Sequence, residues 1–204
     1  MRGLSISFGR LLALVCGAGL WLALPATAQR GAMVMPQNLA ELVEEAGTIL
    51  RGHIVSAHVE PHPELTNLTT VVVTVKVEAA LKGDPAQTFS FRQYLWDIRD
   101  KHNATGHRKG QRVLLLLTKP SEYGLSSPAG LEQGRFLITA GADGKPAAVN
   151  GVGNAGLFRN LKPVLEKRGV SLPAPLAARV EAERAEPIPL NELEELIRSL
   201  VKNP

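Results

Sequence analysis

The sequence predicts a mainly β protein of the α+β class: a small antiparallel sandwich or closed barrel, with a short helix before it and helices after it. Three observations carry this reading. Between residues 48 and 150, roughly six segments alternate apolar and polar side chains or are rich in β-branched residues, at the spacing of an all-β unit. The flanking segments, around 38–47 and beyond 151, follow the 3.6-residue rhythm of helices. No long apolar segment follows the first 28 residues, so the rest reads as one domain with its own core.

The chain opens MRGLSISFGRLLALVCGAGLWLALPATAQ. Arg2 and Arg10 form a basic start, Leu11 to Leu24 is uncharged and apolar, and Ala26-Thr27-Ala28 supplies the small-residue pattern of a signal-peptidase site. This predicts a leader over 1–28, cleavage near Ala28/Gln29, and a periplasmic or secreted protein without a stable membrane span. Cys16, the single cysteine, falls in that leader, so no disulfide is expected and thiolate chemistry is excluded. Two of the 23 basic residues leave with the leader; the remaining 21 stand against 19 acidic ones, a near balance that argues against a nucleic-acid binder.

Residues 29–47 contain the first helix. Asn38 before LAELVEE, with Glu41 three residues on, spells a capping box, and Gly47 is positioned to end the helix. TILRGHIVSAHVE predicts a strand at about 48–60, interrupted at Gly52. In LTTVVVTVKVEAALK, Val71, Val73, Val75 and Val77 share one face, while Val72, Thr74, Lys76 and Glu78 share a wetter one, the mark of a half-buried antiparallel strand. TFSFRQYLW over 88–96 alternates again, and VLLLLT over 113–118 reads as a central strand buried on both faces. GRFLITAGADGKPAAVN is a hairpin around Asp143-Gly144, with Pro146 expected at a sheet edge. These strands make up a β-domain over 48–150.

A helical extension over 151–204 follows. Leu157, Leu161, Val164 and Leu165 mark a helix at 156–168 that Pro163 shortens or kinks. The last helix is amphipathic through Leu193, Leu196, Ile197, Leu200 and Val201, with Asn191 and Glu194 as an N-terminal box. So short a helix needs a docking surface, either its own β-domain or a partner.

Gly151-Val152-Gly153-Asn154-Ala155-Gly156 matches the G-x-G-x-x-G dinucleotide fingerprint, yet the preceding PAAVN is short and proline-led, and no acid stands about 20 residues on. The glycines are expected instead to serve a turn, with Asn154 or a neighbour capping the next helix. No cofactor is called for.

His53, His58, His62, His102 and His107 form no recognised metal-ligand spacing; His53 and His58, five apart on a strand, are expected on opposite faces, and the rest in solvated loops. No catalytic residue can be named. The strongest binding candidate is the polar loop 97–112. Arg99, Lys101, His102, His107 and Arg108 follow Tyr94 and Trp96, and basic groups beside aromatics suit an anionic glycan or peptide.

Taken together, GTILRGHIVSAHVE, VVVTVKVEAALKGD, KGQRVLLLLT and GLEQGRFLI resemble a group of exported bacterial proteins of unknown function, whose strand pattern is similar to the OB-like barrels of netrin and metalloproteinase-inhibitor modules. The resemblance covers residues 47–139 and implies an OB-like barrel. It does not imply protease inhibition, because the N-terminal cysteine and the disulfides of those modules are missing. The expected function is a non-enzymatic binding or accessory module of the cell envelope, with an envelope protein or an anionic glycan or peptide as partner. Two rivals stand beside it: a periplasmic metal-dependent hydrolase using loop histidines, and a module that docks on a partner through its C-terminal helix.

Overall fold

The computed structural model describes residues 35–95 and 104–204. The leader and the segment 96–103 lie outside them. The order of elements is α1 (Leu39–Glu45), β1 (Ala46–Pro61), β2 (Thr69–Lys82), β3 (Thr88–Tyr94), β4 (Arg112–Thr118), β5 (Arg135–Ala140), β6 (Pro146–Asn150), α2 (Leu161–Lys167), α3 (Ala174–Glu181), β7 (Ile188–Pro189) and α4 (Leu190–Lys202). All ladders are antiparallel, and the seven strands form one sheet in the order β3-β2-β1-β4-β5-β6-β7. The sequence leads one to expect a closed barrel; among the described residues the ladder runs from β3 to β7 and these two end strands do not pair.

The sheet sorts its side chains by strand parity into two cores. Val113, Leu115 and Leu117 of β4 join Leu50, Ile54, Val71, Val73, Val75, Phe91 and Leu95 on one side. Leu114 and Leu116 point the other way, into a cluster built with α1, α2, α3 and α4. The run VLLLLT is apolar throughout because β4 is covered on both faces. On the first side the sheet curls. A segment after β4 lies against both β4 and the outer edge of β3: Thr118 N donates to Ser127 O at 2.9 Å, Ala129 N to Leu116 O at 2.7 Å, and Ser126 N to Arg92 O at 2.8 Å.

The first helix has its capping box, with Glu41 N on Asn38 Oδ1 at 3.1 Å and Asn38 N on Glu41 Oε2 at 2.7 Å. Its end differs from expectation. The chain turns straight into β1 at Ala46, and Gly47 lies within the strand, where Lys119 fills the space a side chain would need. Lys82 Nζ donates to Val43 O at 2.7 Å, placing a cation at the helix C-terminus. Gly52 does not break β1 either; a methyl group there would stand 2.2 Å from Lys76 O, so glycine permits a close strand approach.

Three C-terminal expectations are corrected. β6 is not the edge strand, because Ile188 and Pro189 pair with Ala148 and Ala147, although Pro146 itself lies just beyond that pairing. The segment 151–160 is a series of turns and the helix is confined to Leu161–Lys167, with Pro163 in its first turn, where the missing N–H costs nothing. Asn154 caps no helix. Buried, it accepts from Asn150 N at 2.9 Å and donates to Ala148 O and Glu186 O, tying the glycine loop to the sheet. Gly153, Asn154 and Gly156 all have positive φ, as a turn requires, and the strand before them is antiparallel, which removes the dinucleotide geometry.

The last helix begins at Leu190, preceded by Pro189, with no side-chain cap, so Asn191 is not its cap. Leu193, Leu196, Ile197 and Leu200 are fully buried in the same cluster as the sheet and α1. Its apolar face therefore docks in cis. No helix among the described residues is long and apolar enough to cross a membrane.

Candidate functional site

Of the residues singled out in the sequence, Trp96, Arg99, Lys101 and His102 lie outside the described residues. The structure separates the other three. Tyr94 ends β3, half-buried, opposite Thr70. His107 turns inward rather than toward solvent: it is buried, its ring packs edge-on against Phe91 with centroids 5.8 Å apart, and Nε2 meets Gln93 Oε1 at 3.2 Å. Burial, reinforced by the nearby charge of Arg135, pushes its pKa down to about 3, so it is a neutral core residue. Arg108 remains exposed, on a turn whose Gly110 N donates to Ile54 O and whose Gln111 O accepts from Ile54 N, at 2.8 and 2.9 Å. His62 is also buried. Its Nδ1 accepts from the backbone N–H groups of Glu64 and Leu65 and its Nε2 meets Tyr123 O at 2.8 Å, which joins two loops. The expectation of solvated loop histidines fails for both.

The charged constellation lies instead on the outer face of β1, β2 and β4, and two irregularities of the ladder create it. Arg51 pairs with Ala79 and Gly52 with Val77, so Glu78 is an extra residue, a bulge. Bulges re-aim side chains. Here Glu78 Oε1 meets His53 Nδ1 at 2.6 Å, while Oε2 accepts from Arg112 Nη2 at 2.9 Å and Nε at 3.1 Å and lies 3.5 Å from Arg51 Nε. The second bulge is at Val55, between the pairs Ile54 with Val75 and Ser56 with Thr74. It shifts the alternation by one, so that His53 lies opposite Lys76 and His58 opposite Val72, both on the same outer face. The expectation that the two histidines face opposite ways is overturned by this extra residue.

Across three strands the register aligns Lys76, His53 and Arg112 in one row. Burial of its side chain pushes the Glu78 carboxyl up, but the hydrogen bond and charge of Arg112, with His53 and Arg51, outweigh this and hold it below the usual carboxylate range. Arg51 Nε also lies 3.1 Å from Glu194 Oε1 of α4, and Glu194 Oε2 accepts from Arg198 at 3.1 Å. Glu194 thus serves the sheet rather than a helix cap. At the far end of the face, Glu60 joins Arg92 at 2.6 Å and His58 at 3.0 Å; hydrogen bonds from Arg92 and then His58 hold its carboxyl low. Arg51, Lys76, Arg92 and Arg112 thus stand against Glu60, Glu78 and Glu194, with Arg108 and Lys109 on the adjoining turn and Lys76 without an ion-pair partner among the described residues. Chemically, the face can hold an anion with guanidinium and ammonium donors. Sequence reasoning missed it because the bulges are set by pairing, not by composition.

Comparison with protein-family models, with curated proteins and with solved structures finds no match for this chain.

Proposed function

We propose that the protein is an exported, non-enzymatic binding module of the cell envelope, and that it takes an acidic glycan or acidic peptide across the outer face of β1, β2 and β4. The observation that supports this reading is the row Lys76, His53 and Arg112, with Arg51 beside it: a local excess of cations on a chain whose mature charge is nearly balanced. The β-domain is read as a barrel of the OB-like class, a class that binds oligomeric ligands across an open face. The curl of β1–β4 around the first core, and the segment 126–129 hydrogen-bonded between β3 and β4, support that reading. The leader-like start supports export.

The rivals have less behind them. Among the described residues no group of three His, Cys, Asp or Glu side chains could hold a metal ion. The apolar face of α4 is already occupied by the chain's own core. The test is binding of the purified protein to polygalacturonate and to polyglutamate, with neutral dextran as control. Binding to at least one polyanion that weakens steeply with salt, and that is lost on Lys76→Gln/Arg112→Gln, supports the proposal. Equal retention on dextran, or polyanion binding untouched by the double substitution, defeats it.

A further inference from the structure

We propose that the outer edge of β3 is a strand-addition site for an extended, uncharged peptide segment of a partner protein. The inference does not rest on the charged face, although Arg92 borders both. It rests on the parity of the β3 backbone. Odd-numbered positions bond inward: Gln87 O accepts from Val77 N at 2.8 Å, and Leu95 N donates to Thr69 O at 3.3 Å. The even positions Thr88, Ser90 and Arg92 therefore turn their N–H and C=O groups away from β2, along the edge of the sheet.

At one of these positions the chain already uses the edge. Arg92 O accepts from Ser126 N, and Leu125 forms a parallel bridge to Arg92. One residue pair along, nothing among the described residues bonds the outward groups of Ser90 or Thr88. There a groove of about 390 Å³ opens. Successive β3 residues of both parities line it, from Phe89 to Arg92, so it runs along the edge rather than over one face. Its other wall comes from Leu117, Thr118, Pro120 and Ser126.

The charge of the groove chooses the occupant. Among the described residues Arg92 is its one ionised lining residue, and it is committed to Glu60 at 2.6 Å and Thr70 Oγ1 at 2.7 Å. Phenyl rings, a proline, aliphatic carbons and hydroxyls remain. A charged side chain entering would be desolvated without a counter-ion, whereas an apolar or hydroxyl side chain is matched. An extended peptide continuing the Leu125 bridge would satisfy the free Ser90 groups by main-chain hydrogen bonds and seat alternate side chains in the groove. Such addition is a general mode by which a sheet edge takes a partner. Left unoccupied, the same groups are an association hazard.

The probe is a capped heptapeptide alternating valine with serine or threonine, and its control carries lysine at each valine position. Added to the ¹⁵N-labelled protein, the valine peptide should slow hydrogen exchange of the Ser90 amide, and the lysine peptide should not. Ser90→Pro removes the outward N–H without touching the β2 ladder and should weaken valine-peptide binding at least tenfold. Ser90→Ala, which loses only the hydroxyl contact to Thr74, should not. If Ser90→Pro does not fold, the exchange measurement on the unaltered protein decides alone. Two results overturn the proposal. One is an unprotected Ser90 amide at millimolar valine peptide. The other is Ser90 protection that grows with protein concentration in the absence of peptide, which makes a second copy the occupant.

Discussion

His53 Nδ1 lies 2.6 Å from Glu78 Oε1, although neither residue is the other's partner in the β1–β2 register. His53 sits opposite Lys76, and Glu78 is the residue that the ladder leaves over. The contact exists because β2 bulges by one residue, and the same bulge brings Arg112 and Arg51 to that carboxylate. One acid therefore holds three basic side chains at the centre of the proposed anion-binding face.

This gives Glu78→Gln opposite effects on stability and binding. Losing the carboxylate leaves Arg112 and His53 without their acid and Arg51 with Glu194 alone, and the partly exposed network should lose about 1 kcal/mol of stability by urea denaturation. The same change removes the acid at the centre of the Lys76, His53 and Arg112 row, leaving Glu60 at the far end and Glu194 beside Arg51, so affinity for polyglutamate should rise roughly threefold to fivefold at low salt. A variant that is destabilised but binds the polyanion no better would contradict the electrostatic reading of the face.

His107 predicts an acid-sensitive fold. Its pKa in the folded protein is depressed to about 3 from an ordinary 6.5, so between those values the unfolded chain binds the proton and the native one does not. Stability is therefore full above about pH 6.5 and falls on acidification, at up to about 1.4 kcal/mol per pH unit, until it levels near pH 3. Glu60 and Glu78, both held below their ordinary 4.5, also lose their stabilising effect on acidification, but only below that value. Over the interval from 6.5 to 4.5 the difference between the unaltered protein and a His107 variant therefore reports His107. In His107→Gln, whose amide can still donate to Gln93, the slope of unfolding free energy against pH over that interval should flatten.

The parts of the molecule that were legible in the sequence are those fixed by local periodicity. Val71, Val73 and Val75 are buried and Lys76 is exposed, as two-residue alternation demands. The capping box of α1 depends on residues three apart and is present as read. The apolar face of α4 shows in its sequence but its start does not: β7 leads into the helix at Pro189, and the two-residue pairing of β7 with Ala147 and Ala148 has no local signature. His62 and His107 looked like loop histidines because their burial comes from Tyr123, Phe91 and Gln93, residues 14 to 61 positions away. The candidate face failed for the same reason. Strict alternation puts His53 and His58 on opposite sides, and only the unpaired Val55 brings them together.

Cis docking of the last helix has an energetic consequence. Leu196 is fully buried in the cluster formed by α1, α4 and the sheet, so Leu196→Ala should cost about 2–5 kcal/mol. Deleting residues 188–204 removes β7 as well and uncovers the apolar cluster that α4 shares with α1 and the sheet, so the remainder should show no cooperative thermal transition. A truncated chain melting within a few degrees of the full one would mean that the helix is dispensable to the fold.

Gly52 couples the core to the face. A β-carbon at this position would lie 2.2 Å from Lys76 O and 2.8 Å from Val75 Cγ1, and the first of these is backbone that cannot swing aside. Gly52→Ala must therefore separate β1 from β2 where the register shifts to leave Glu78 unpaired. A loss of at least about 2 kcal/mol is expected from the overpacking alone. The displacement also moves Lys76 and Glu78 relative to His53, so polyglutamate affinity should fall although no charge has changed. Ala57→Gly, farther along the same strand and on the inner side, provides the control: it should lower stability while leaving the affinity where it was. Equal affinities for the Gly52→Ala and unaltered proteins would show that the anion does not read the spacing set by the bulge.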